Sequence, residues 1–128
     1  MNVHLRDVLL VAVGGAAGAV LRYGVGKLAG VQADTSIPWH TFAVNVTGAF
    51  VLGLLIVAAA RQGWPGWWRP LLGVGLLGGY TTFSTFSMEV VELGLRGAPL
   101  LAGGYALGSL FAGILGAACG ILLGRAVL

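Results

Sequence analysis

Between Gly78 and Ser87 the chain reads Gly-Gly-Tyr-Thr-Thr-Phe-Ser-Thr-Phe-Ser, two glycines and a run of hydroxyls inside an apolar stretch of membrane-spanning length. Glycines followed by β-branched threonines make a poor helix interior. In hydrocarbon, interrupted backbone survives only where protein or a water-filled cavity covers it. A broken helix near Gly78–Thr82 is therefore expected, and with it the place where this chain meets an ion.

The residues after the break carry the same implication. Phe83 and Phe86 are spaced i, i+3 and share a helix face. Such rings ordinarily face lipid or a neighbouring helix, but these two flank Ser84 and Thr85 and follow the break directly. Their positive edges can approach an anion without holding it tightly. Tyr105 and Ser109, spaced i, i+4, share a face of a later segment; their hydroxyls fit an aqueous track and equally fit bonds to a neighbouring helix. Asn45 is the amide in the middle of its segment, and helix–helix glue and anion donor weigh equally for it. Arg22 lies near the far edge of the hydrocarbon. It fits a snorkelling anchor or a fixed positive charge drawing an anion into a vestibule.

Four apolar segments must position these groups. The 128 residues are 58% hydrophobic and only 9% charged, against about 25% charged in a soluble domain, and the mean hydropathy is +0.95. Segments of about 20 residues, enough to span a bilayer, run roughly from Val8 to Leu28, Trp39 to Ala60, Leu71 to Met88 and Leu100 to Leu123. The reading is an all-α membrane protein, one four-helix transmembrane domain over residues 1–128, with the third helix broken. Pro38, Pro70 and Pro99 sit at segment starts, where a missing N–H costs little. Tryptophans in the Arg61–Arg69 loop, and Trp39, suit the membrane interface. Four spans leave both termini on one side. Arg6, Arg61, Arg69 and Arg125 then oppose Arg22, Lys27 and Arg96, a balance that predicts a weak orientation preference.

Glycine stripes at Gly14/Gly18, Gly104/Gly108 and Gly116/Gly120/Gly124 allow close helix approach. Their extent on the fourth segment favours self-association over packing inside one subunit. Glu89 and Glu92 read as a solvated helix end, with Glu92–Arg96 an i, i+4 pair. Cys119 is a lone packing residue. No basic run suggests nucleic acid, and no GxSxG, HExxH, Walker A or cysteine cluster suggests an enzyme. No segment carries a carboxylate in its middle, as proton-coupled transporters require.

Three motifs together resemble those of the bacterial Fluc (CrcB-type) fluoride channels: Gly14-Gly15-Ala16-Ala17-Gly18-Ala19-Val20-Leu21-Arg22-Tyr23, Asn45-Val46-Thr47-Gly48-Ala49-Phe50, and Gly75-Leu76-Leu77-Gly78-Gly79-Tyr80 running on through Ser87. The resemblance implies an antiparallel, dual-topology homodimer in the bacterial inner membrane, with two pores that passively export fluoride. It implies that Phe83 and Phe86 offer ring edges, Asn45 donates to fluoride, and Thr81, Ser84 and Thr85 line or support the pore. Tyr105 and Ser109 would form a polar track and Arg22 a positive vestibule. The backbone carbonyls of Gly78 and Thr81 would hold a structural sodium ion at the dimer centre. The competing readings are a small four-helix multidrug/proton antiporter and a non-transporting assembly subunit.

Overall fold

The computed structural model describes residues 4–30 and 36–128. The single domain expected over 1–128 thus includes residues 1–3 and 31–35, which lie outside those described. Helix α1 spans Leu5–Ala29 and α2 spans Trp39–Gln62. The third span is split into α3, a π-helical stretch Arg69–Leu77 running into one α-turn Gly78–Tyr80, and α4, Phe83–Leu95. Helix α5 spans Pro99–Val127. No strand occurs among the described residues.

Local chemistry explains the ends. Asp7 in the first turn of α1 and Lys27 in its last complement the helix dipole. Pro38 precedes α2, and Pro99 opens α5, as their missing N–H groups predict. Gly63 takes the left-handed conformation (φ 63°, ψ 43°) and bonds the Ala59 carbonyl, terminating α2. Gly97, at φ 86°, turns the chain from α4 into α5.

The break falls at the C-terminal edge of the expected window, and the threonines carry it rather than the glycines. Gly78 remains helical at φ −64°, ψ −36°. Thr81 (φ −81°, ψ 158°) and Thr82 (φ −149°, ψ 123°) are extended, a region that β-branched residues favour. Gly79 serves close approach instead: a Cβ there would strike the backbone of Gly15 in α1. The π-helical winding of Arg69–Leu77 has no forewarning in composition.

Glycine also decides the packing. A Cβ at Gly14 or Gly18 would collide with the Leu71 or Leu76 carbonyl, so α1 lies backbone to backbone on α3. Gly53 on α2 faces Ala117, while Gly120 faces Phe50 and Gly124 faces Val57. The stripe on α5 therefore divides. Gly116, Gly120 and Gly124 are used inside the subunit, against the expectation that the stripe serves self-association, because a Cβ at each would press on α2 at Val46, Phe50 or Val57. A Cβ at Gly104 or Gly108 would meet nothing within 4 Å among the described residues.

A second correction concerns Glu89. Helix α4 continues to Leu95, so Glu89 lies inside it, and its side chain is only 15% exposed. Glu92 does pair with Arg96 at 3.7 Å at a half-exposed helix end.

Candidate functional site

Breaking a helix strands backbone groups, and the chain redirects each one. In a continuous helix the Thr82 N–H would bond the Gly78 carbonyl. Here it donates to Asn45 Oδ1 at 2.8 Å, while Asn45 Nδ2 donates to the Thr82 carbonyl at 3.0 Å. The Thr85 N–H, which would bond the Thr81 carbonyl, donates instead to Thr82 Oγ1 at 3.2 Å. That bond makes Thr82 the N-cap of α4. The Gly79 carbonyl accepts from Arg22 Nε at 3.1 Å. Thr81 folds back, its N–H and Oγ1 both donating to the Leu77 carbonyl at 2.9 Å. The break takes the helical donors from the carbonyls of Gly78, Gly79, Tyr80 and Thr81, and Arg22 replaces the one lost at Gly79.

Three cavities adjoin this junction. A groove of about 580 Å³ is bounded by Asn45, Thr81, Thr82, Phe83 and Phe86 and by the Ala106–Ile114 face of α5, including Ser109. A cavity of about 310 Å³ touches Asn45, Gly48, Gly78 and Thr81. A third, of about 270 Å³, is lined by Arg22, Lys27, His40, Thr41, Thr82 and Thr85. Asn45 and Thr81 border the first two, and Thr82 borders the first and third. The N-terminal, positive end of α4 opens at the junction.

The expected residues are thus largely brought together. Phe83 and Phe86 stand with ring centroids 6.0 Å apart on the groove. Phe83 is 81% exposed, so the described residues leave it largely uncovered. Ser109 Oγ is buried beside the groove without a hydrogen-bond partner among the described residues. Thr85 faces the Arg22 cavity. Ser84 is exposed and borders none of the three cavities. Tyr105, only 2% exposed, packs behind Phe86 with ring centroids 5.3 Å apart.

Tyr105 belongs to a polar cluster that spacing alone left unassembled. Its hydroxyl donates to Glu89 Oε2 at 2.7 Å, and Thr41 Oγ1 donates to Glu89 Oε1 at 2.7 Å. His40 Nε2 lies 3.7 Å from the same carboxylate. A signal was present: Glu89 stands i+3 from Phe86 and Thr41 stands i−4 from Asn45, each on the face of a chosen residue.

Helices α1, α2 and α5 are each long and apolar enough to cross a membrane. With the split α3–α4 span closing around a polar junction, they define an all-α, multi-pass membrane protein with an interrupted helix. Residues 9–121 match the family described as CrcB-like protein, Camphor Resistance (CrcB), and the chain belongs to that family. It is 47% identical over 119 residues to the fluoride-specific ion channel FluC of Novosphingobium aromaticivorans, covering 91% of this chain and 94% of the relative. It is 45% identical over 125 residues to the FluC of Phenylobacterium zucineum, covering 96% and 98%. It is 44% identical over 122 residues to a FluC of Thermus thermophilus, covering 93% and 96%.

Proposed function

We infer that this protein is a passive, fluoride-selective channel of the bacterial inner membrane, not an enzyme, and that it works as an antiparallel homodimer with two pores. The carrying observation is the junction itself. An amide clamp at Asn45–Thr82 holds a helix break open beside a groove edged by Phe83 and Phe86. Relatives covering nearly the whole chain bear the name fluoride-specific ion channel.

Fluoride is small and strongly hydrated, so stripping its water requires several close donors at once, none binding too tightly. One amide hydrogen of Asn45 is committed to Thr82, and the second is directed to the anion. Ring edges of Phe83 and Phe86, with Ser109 beyond them, continue the path. Ser84 and Thr85 support the first turn of α4, and Tyr105 backs Phe86. Arg22 and Lys27 line the mouth. A second copy covers Phe83 and the open Gly104–Gly108 face.

The Gly78 and Thr81 carbonyls fit a structural sodium ion, because both are among the carbonyls whose helical donors have been diverted, both residues border one cavity, and hard oxygen ligands suit that cation. Bound there, sodium would supply positive charge that fixes the break and ties two copies together.

The test is purified protein in liposomes. Rapid fluoride efflux, negligible chloride efflux and no proton requirement are expected; absence of fluoride efflux overturns the reading. Glu89 favours one second reading, a proton-coupled transporter, since its carboxylate sits within the helices. A requirement for a proton gradient in the same assay would select it.

A further inference from the structure

Arg22 reaches across from α1 to a single backbone atom. Its Nε donates to the Gly79 carbonyl at 3.1 Å in a partly buried setting. That carbonyl belongs to the last turn of α3 and would otherwise accept from the Phe83 N–H, which the extended Thr81–Thr82 pair carries away. The approach is close because Gly18, one turn before Arg22, and Gly79 both lack a Cβ where α1 meets α3. Arg22 therefore does for Gly79 what Asn45 does for Thr82: it replaces a lost helical partner on one flank of the break. Positive charge at the mouth, by contrast, has a second source in Lys27, which borders the same cavity.

Resting on the channel reading, we propose that conduction depends on Arg22 as a positioning residue, through its Nε–H donor rather than through its charge. The bond holds the end of α3, and with it the start of the Thr81–Thr82 segment and the register of Phe83 on the groove.

Side-chain chemistry separates the two contributions. Glutamine places an amide nitrogen at the same number of bonds from Cα as Arg Nε, with no charge. Lysine keeps the charge but puts a methylene at that position, its ammonium lying one bond beyond. The experiment compares fluoride efflux from liposomes holding wild type, Arg22→Gln, Arg22→Lys and Arg22→Leu, with size-exclusion profiles taken before reconstitution. Expected is efflux within about twofold of wild type for Arg22→Gln, and a fall of about tenfold or more for Arg22→Lys and Arg22→Leu, the scale of a lost partner at a partly buried carbonyl. Rescue by the neutral glutamine is a result that neither a vestibule charge nor generic packing produces. Full efflux in Arg22→Lys with loss in Arg22→Gln overturns the proposal in favour of charge. Equal retention or equal loss in both overturns it too, the donor then being dispensable or insufficient. A variant lost to misfolding counts as loss. Absence of efflux in wild type would instead sink the channel reading.

Discussion

Asn45 and Thr82 pair edge to edge, the side-chain amide of one bonding both backbone groups of the other at 2.8 and 3.0 Å. A helix residue thereby stands in for a strand neighbour and holds one extended residue open between two half-helices. Asn45→Leu should strip both bonds and leave a partly buried N–H and C=O without the amide, costing roughly 2 kcal/mol. Thermal unfolding in detergent would show the lowered midpoint, and fluoride efflux should fall with it. An Asn45→Leu protein as stable and active as wild type would remove the clamp from the account.

The ring prediction concerns flux without fold. Phe83 is largely exposed and Phe86 half-buried against Tyr105, so Phe83→Ile and Phe86→Ile retain apolar bulk while losing the ring edge. Each should reduce fluoride efflux sharply and leave the size-exclusion profile unchanged. Unaltered efflux in both would take the rings out of the pathway.

How much of this was legible beforehand depends on the scale of the contact. The spans, the prolines at their starts and the break followed from composition and local preference, because hydrocarbon thickness and backbone sterics act within one segment. The candidate residues Asn45, Phe83, Phe86, Ser109 and Thr81 gather at one groove as their types suggested. Glu89 was misread as solvated because its partners, Thr41 and Tyr105, come from two other helices. The division of the α5 glycines was hidden for a similar reason: a stripe says that something approaches closely, and only the facing helix says what. The π-helical stretch Arg69–Leu77 packs against Gly14 and Gly18 of α1, and no local pattern foretells its winding.

The glycine assignments can be separated by substitution. Gly120→Val would drive side-chain atoms into the Phe50 carbonyl, and Gly18→Val into that of Leu76. Both should prevent a stable subunit from accumulating. A Cβ at Gly104 or Gly108 would meet nothing within 4 Å among the described residues, so Gly104→Val and Gly108→Val should each fold. Cross-linking that shows fewer dimers for these two would place the open face between copies, and undiminished dimers would place it against lipid.

The Glu89 cluster predicts coupling. Glu89→Leu leaves the Thr41 and Tyr105 hydroxyls without their acceptor, at roughly 1–3 kcal/mol for each buried group. Tyr105→Phe alone should cost less. In the double variant the penalties should fall short of additive, as expected for groups in one network. Additive losses in thermal or chemical unfolding would show that the hydroxyl of Tyr105 does not depend on the carboxylate.

Sodium should matter to assembly before it matters to transport. Exchange of sodium for a large organic cation during purification should shift the protein toward smaller species on size exclusion. Indifference to the cation would argue against any role for the released Gly78 and Thr81 carbonyls.

The π-helical winding of Arg69–Leu77 has a consequence for how the gene can change in length. A π-turn is an α-turn carrying an extra residue. Removing one codon from this stretch can relax the coil to ordinary winding and leave the orientation of Gly79 and Thr81 close to where it was. The same loss in the middle of α2 or α5 turns every residue beyond it by about 100°. Single-codon deletions should therefore survive fluoride selection between Arg69 and Leu77 more often than in those two helices.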